Sequence, residues 1–257
     1  MNNNKVSIII PCFNAVKYTR QCVRSVLKYS SYDYELILIN NGSSDGTKEY
    51  FKILKSKNKK EKYNRIRIIQ FRENMGVAGA LNLGISKSSG KYICYLNNDV
   101  IVTKNWLEGL VEACEKDHKN AIVGTLFNAF ENKKFVKAVE KNKREIDRVA
   151  ETVFLMNKNK VKKAKTIHGL CMLIRKDIFS KVGFFNESFY PCFGEDIEFC
   201  KRVKKEGYNL VDALSVFVFH YWNKSVRSKE FNKQNNSIEK VMQKHYKNFS
   251  IPRKHKI

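Results

Sequence analysis

The sequence predicts an α/β fold in which a mostly parallel central sheet carries helices on both faces. Three observations lead there. Short β-branched runs alternate with amphipathic segments through the first half of the chain. The runs are continuously apolar, as in strands buried on both faces. The segments between them are long enough for crossover helices, and repeated right-handed crossovers build a parallel sheet.

Val6 to Ile10 opens the sheet, and Tyr18 to Tyr29 follows with Cys22, Val23, Val26 and Leu27 at helical spacing. Glu35 to Ile39 is a second strand, stopped by the turn string Asn40 to Gly46, and Thr47 to Lys55 resumes as helix. Arg65 to Phe71, Val77 to Lys87 and Lys91 to Leu96 read as strand, helix and strand. Trp106 to Lys116 is a helix and Ala121 to Leu126 a fifth strand. Residues 127–165 are basic and poorly periodic, which suggests a helical or mobile insertion. Order returns with a strand at His168 to Ile174, helices at Asp177 to Val182 and Asp196 to Glu206, and a strand at Val216 to His220.

Among the 257 residues, 43% are hydrophobic and only 3 are proline, so one domain with a sizeable core is expected over 1–222. Within it, 1–126 and 166–222 would form two halves. Residues 223–257 would add a basic helical tail. The N-terminus enters a strand within a few residues, so no signal peptide is expected there. The longest apolar runs fall far short of the roughly 20 residues that span a bilayer. Seven cysteines lack any CxxC or metal-ligand spacing and read as reduced core residues of a cytoplasmic chain.

The formal charge is +24, concentrated in 52–67, 133–165 and the tail. Between Tyr221 and Ile257, ten Lys/Arg face only Glu230 and Glu239. This distribution suits a solvated lysine-rich surface, or peripheral docking to an anionic inner membrane face, better than nucleic acid.

Ligands of parallel α/β sheets bind beyond the carboxyl ends of the strands. That rule selects Pro11 to Asn14, Asn40 to Asp45, Arg72 to Gly76 and Asn97 to Asp99. Asp99 directly follows a strand, where one carboxylate plus substrate phosphates suffices for Mg²⁺ or Mn²⁺. Glu195-Asp196 opens a helix, where acidic residues also cap backbone N–H groups. His220 ends an apolar strand and is followed by Tyr221 and Trp222. No phosphate loop of the GxxxxGK[ST] kind and no G-x-G-x-x-G is present.

Taken in order, Val6 to Asn14, Leu38 to Thr47, Asn74-Met75-Gly76 with Asn82-Leu83-Gly84, and Leu96-Asn97-Asn98-Asp99 resemble the family 2 glycosyltransferases, whose fold is called GT-A. Gly169 to Arg175, Gly183 to Glu187 and Gly194 to Arg202 continue the resemblance, which covers about residues 5–222. It implies an inverting transfer of one sugar from a nucleotide-diphosphate donor, UDP-linked or dTDP-linked, to a glycan, lipid-linked or protein hydroxyl. A divalent cation, Mn²⁺ or Mg²⁺, would sit on Asp99, with His220 as a second ligand. Asp196 would be the general base and Glu195 would orient the substrate. Pro11, Phe13, Asn14, Asn41, Asn74, Gly76, Asn82, Asn97, Asn98, His168 and Trp222 would line the donor and acceptor sites. Asn41 stands where the family has an aspartate that accepts a base N3–H, and Asn97 stands at the first aspartate of its DxD motif. These two departures leave open a second reading, a basic binding protein for an anionic polymer that keeps the fold without the chemistry.

Overall fold

A computed structural model describes residues 4–57, 65–128, 137–139 and 142–222. The predicted tail at 223–257, with its membrane-docking role, lies outside the described residues, as does part of the 127–165 insertion.

The α/β expectation holds. The chain runs β1 (Val6–Cys12), α1 (Val16–Tyr29), β2 (Tyr34–Asn41), α2 (Thr47–Ser56), β3 (Ile66–Phe71), α3 (Gly76–Ser86) and β4 (Tyr92–Leu96). It continues with β5 (Val100–Ile101), α4 (Trp106–Glu115), β6 (Asn120–Phe127), α5 (Arg144–Asn157) and β7 (Val161–Lys163). Then come β8 (Cys171–Arg175), α6 (Ile178–Val182), a 3₁₀ turn at Glu187–Phe189, α7 (Glu195–Lys205) and β9 (Asn209–His220). Among the described residues no helix is long and apolar enough to cross a membrane.

The strand order is β3-β2-β1-β4-β8-β6-β9-β5, with β7 also paired to β9. Strands β3, β2, β1 and β4 are parallel, while β8 runs antiparallel to both of its neighbours, β4 and β6. Alternation along β1 and β2 divides the core. Ile8, Ile10, Leu36 and Leu38 face one side with Cys22, Phe51 and Trp106. Ile9, Ile37 and Ile39 face the other with Leu81, Ile85 and Phe199. Both layers are apolar, which is why these strands read as unbroken runs.

Two expectations need correction, and the insertion expected to be helical or mobile does contain a helix. The strand expected from His168 starts at Cys171, because residues 168–170 form a loop whose Leu170 carbonyl accepts the Asn97 N–H at 3.0 Å. The last strand starts at Asn209 rather than Val216, since the polar residues Asp212 and Ser215 disguise a long strand beside β6. The basic insertion contains α5, packed on β9 through Ile146 and Ala150.

All seven cysteines are free and buried. Burial pushes the Cys114 and Cys200 thiols up to about 12, so neither supplies a thiolate near neutral pH.

Candidate active site

The chain leaves β1 toward β2 on one side, and β4 returns on the other. The crevice beyond the carboxyl ends of β1 and β4 is therefore the topological switch point, the place where open α/β sheets bind ligands. Phe13, Asn14 and the 97–99 turn converge there.

Asn14 and Ala15 both adopt the left-handed backbone conformation, with φ of 56° and 60°. The Asn14 Oδ1 accepts the Ser44 N–H at 2.9 Å, and the Asn14 N–H donates to Ser43 Oγ at 2.9 Å. Asp45 then serves two helices at once. Its Oδ2 accepts the first N–H of α1, from Val16, at 2.6 Å, and its Oδ1 accepts the Thr47 hydroxyl at 2.6 Å where α2 begins. An acceptor at each helix start relieves orphan donors and suits both dipoles.

The predicted asparagines divide by task. Asn98 is buried and donates to the Asn14 carbonyl at 3.2 Å and to Thr19 Oγ1 at 2.9 Å, pinning the 97–99 turn to α1. Asn41 is buried and donates to Asn74 Oδ1 and the Gly76 carbonyl, while its own oxygen accepts the Met75 N–H at 2.9 Å. Asn74 Oδ1 also accepts the Gly76 N–H. Asn82 donates to the Phe185 carbonyl and Glu187 Oε1 and accepts the Phe185 N–H, joining α3 to the 185–187 loop. Asn41, Asn82 and Asn98 thus have both amide hydrogens engaged inside the protein and hold loops together. Asn97 is different, since its side chain is half-buried and makes no hydrogen bond among the described residues.

Asp99 and His220 meet across the β5–β9 ladder, where Val100 pairs with His220. His220 Nε2 lies 3.0 Å from Asp99 Oδ1, with both residues almost fully buried. Two neighbouring ligands of an octahedral ion bound at 2.0–2.1 Å are about 3 Å apart, so the pair fits a shared divalent cation as it stands. The carboxylate oxygen suits Mg²⁺ or Mn²⁺, whereas the imidazole nitrogen is a ligand more usual for the later transition metals. Asn128, which the sequence did not single out, fixes the imidazole's backbone. It accepts the His220 N–H at 2.7 Å, donates to the His220 carbonyl at 3.1 Å, and its own carbonyl accepts the Trp222 indole N–H at 3.2 Å. The Trp222 ring lies 4.6 Å from the His220 ring and 5.8 Å from Phe127.

Asp196 sits in the first turn of α7. Its Oδ2 accepts the Gly169 N–H at 2.8 Å and its Oδ1 accepts the Ile197 N–H at 2.8 Å. Glu195 is more deeply buried, and its Oε2 has no hydrogen-bond partner among the described residues. Burial, and then the neighbouring Asp196 charge, push its carboxyl up to about 8. The two carboxyls are therefore unlike: Asp196 is held by two backbone donors, whereas Glu195 keeps its proton through the neutral range. Pro11 lies at the end of β1 and Gly76 opens α3 with φ of 74°, while His168 is exposed beside Phe127. A cleft of about 460 Å³, lined by Lys5, Glu35 and Arg65, lies at the amino ends of β1–β3, away from this crevice.

A crevice at the switch point of this mixed sheet, flanked by an Asp–His pair and an acidic helix start, defines a GT-A transferase fold. The profile of the Glycosyl transferase family 2 matches residues 7–183, and the chain belongs to that family. The glycosyltransferase GlyG of Streptococcus pneumoniae is 30% identical over 123 residues, 48% of this chain and 39% of that protein. The glycosyltransferase AglE of Haloferax volcanii is 26% identical over 217 residues, 84% of this chain and 66% of that one. The matches thus span from two fifths to two thirds of these relatives' length. The fold is similar to that of GalNAc-T7 with UDP, GalNAc and Mn²⁺, at TM-score 0.65 and 18% identity over 85% of this chain and 44% of that one. It is also similar to Staphylococcus aureus TarS 1–349, at TM-score 0.60 and 13% identity over 94% and 71% of the two chains.

Proposed function

We propose that this chain is an inverting, cation-dependent glycosyltransferase that moves one sugar from a UDP-sugar, or a dTDP-sugar, onto an acceptor hydroxyl. The observation that carries the proposal is the buried Asp99–His220 pair, two metal-competent atoms 3.0 Å apart just beyond the carboxyl end of β4. Its neighbour Asn128 holds the His220 backbone, and Trp222 packs against the His220 ring.

Asp99 and His220 would hold Mn²⁺ or Mg²⁺, which when bound supplies positive charge against the leaving diphosphate, so that no acid is needed there. The base sits beside the loop formed by residues 74–76, whose shape Asn41 maintains through its three bonds. Asn97, with its side chain unengaged, reaches the ribose. Asp196 accepts the acceptor hydroxyl's proton through a remaining lone pair as the new glycosidic bond forms on the face opposite the departing diphosphate. Its two backbone bonds fix the direction of that lone pair. Glu195, protonated and buried behind it, keeps a second negative charge out of the crevice and positions the first turn of α7.

A panel of nucleotide sugars screened for thermal stabilisation with Mn²⁺ tests donor use, because a bound donor raises stability by mass action. Product from the best donor is then examined for its anomeric configuration by NMR. An inverted linkage is expected. A retained configuration would rule out single displacement, and an intact donor under every condition would favour a pure binding protein. In this reading the enzyme works at a cytoplasmic face, where nucleotide sugars are supplied.

A further inference from the structure

Two large apolar side chains stand in solvent at the carboxyl end of α5. Leu155 is 71% exposed and Met156 is 68% exposed, the two highest values among the described large hydrophobic residues. The packing of α5 does not require them. The helix seats Ile146 and Ala150 against β9, with Val149 and Val153 beside them, a stripe at i, i+3, i+4 and i+7. Leu155 and Met156 fall off that stripe, at positions where a helix facing water carries polar residues. A single exposed leucine needs no explanation, but an adjacent pair at a helix end makes an apolar knob.

Lysines close the turn beneath the knob. The Lys160 ammonium donates to the Met156 carbonyl at 3.0 Å, and the Lys116 ammonium donates to the Asn159 carbonyl. Lys158, Lys163 and Lys165 are exposed as well, while Lys162 faces Asp212 across the β7–β9 ladder. From Thr152 to Lys176 the chain has no Asp or Glu. Lys116, Lys158, Lys160, Lys163 and Lys165 make no ion pair among the described residues.

We propose that this tip docks the protein peripherally on an anionic lipid bilayer. Leu155 and Met156 enter the boundary between headgroups and acyl chains, and the lysines lie against the anionic headgroups. Binding at that boundary grows with buried apolar area and with attraction to anionic lipid, and the tip offers both side by side. A stable protein interface needs roughly 800 Å² from each partner, far more than two side chains supply. A second copy of the chain, or its own segment 223–257 with ten Lys/Arg and two Glu, would set lysines against lysines, and like charges disfavour that pairing. The inference goes beyond the glycosyltransferase reading and does not depend on the roles of Asp99 or Asp196.

The test uses the full chain and vesicles of phosphatidylcholine with or without phosphatidylglycerol. All seven native cysteines are buried, so Met156→Cys can be labelled selectively with a polarity-sensitive dye. Its emission should shift to the blue with anionic vesicles and stay fixed with neutral ones. In vesicle sedimentation without label, the double variant Leu155→Ser/Met156→Ser should partition about tenfold more weakly or worse. Lys158→Gln/Lys163→Gln should weaken partitioning severalfold at low salt and less at ~0.15 M, where screening shortens electrostatic reach to about 8 Å. All four side chains are exposed, so both double variants should melt with the parent. The proposal is overturned if the dye at position 156 does not shift, or if neutral vesicles bind as well as anionic ones. It is also overturned if the serine variant partitions like the parent, which would move any vesicle binding to another surface such as 223–257. A parent that dimerises while the serine variant stays monomeric would give the knob to a second copy and overturn it too.

Discussion

The Oδ2 oxygen of Asp196 accepts the Gly169 N–H at 2.8 Å, which ties the first turn of α7 to the loop ahead of β8. A Cβ on Gly169 would lie 2.5 Å from Tyr95 Cε1, so that loop can pass over β4 only with glycine at this position. One carboxylate thereby anchors the fold and, in the proposed chemistry, acts as the base.

Asp196→Asn separates these duties. The amide has one oxygen for two backbone donors, so a stability loss of about 1–3 kcal/mol is expected. If Asp196 also takes the acceptor's proton, turnover of the folded variant should drop by ~10²-fold or more, with donor affinity little changed. Near-normal turnover in a less stable variant would leave Asp196 an anchor alone.

Asp99→Asn, a near-isosteric change, should abolish the increase in UDP affinity that Mn²⁺ brings, as measured by titration calorimetry with and without EDTA. His220→Ala should raise the Mn²⁺ concentration for half-saturation about tenfold or more, the scale on which even outer-shell partners of a metal act. Unchanged Mn²⁺ dependence in both variants would remove the cation from this pair.

Glu195 makes stability depend on pH in a defined sense. Its folded pKa of about 8 lies above the ordinary 4.5 because burial, then the Asp196 charge, disfavour ionisation. The folded state therefore binds this proton more tightly than the unfolded state. The associated stability is fully present below about pH 4.5 and is lost as pH rises through 8. Glu195→Gln cannot ionise, so its melting temperature relative to the parent should rise steadily between pH 5 and pH 9. The gain should reach the order of a few kcal/mol at the alkaline end. A constant difference across that range would contradict the assignment.

Asp45→Ala should lower stability by about 1–2 kcal/mol, since one carboxylate serves the starts of both α1 and α2. Chemical denaturation measures this directly. A loss below a few tenths of a kcal/mol would mean that water replaces the carboxylate at both helix starts.

The first four strands were legible in the sequence because β1, β2 and β4 are buried on both faces, while β3, only partly buried at the sheet edge, is still a short apolar run between turns. The same runs located the turns after β1, β2, β3 and β4, and hence Asp99 and Asn97. The second half was harder to read. β9 carries Asp212 and Ser215 in mid-strand, and β7 has one half-buried and two exposed residues, so neither shows a strand's apolar period.

By itself, then, the sequence determined the fold class, the family, and the order of the polar turns, since those depend on local periodicity and on motifs contiguous in the chain. Only the tertiary structure decided which side chains are free to act. Asn41, Asn82 and Asn98 look alike as ligand-contacting amides in the sequence, yet each has both amide hydrogens satisfied by groups 30 or more residues away. Adjacent Glu195 and Asp196 look equivalent, yet one is buried with an unpaired oxygen and the other accepts two backbone N–H groups. The physical reason is the same in both cases. Hydrogen bonding and desolvation depend on what surrounds a group in space, and distant segments supply those surroundings only once the chain is folded.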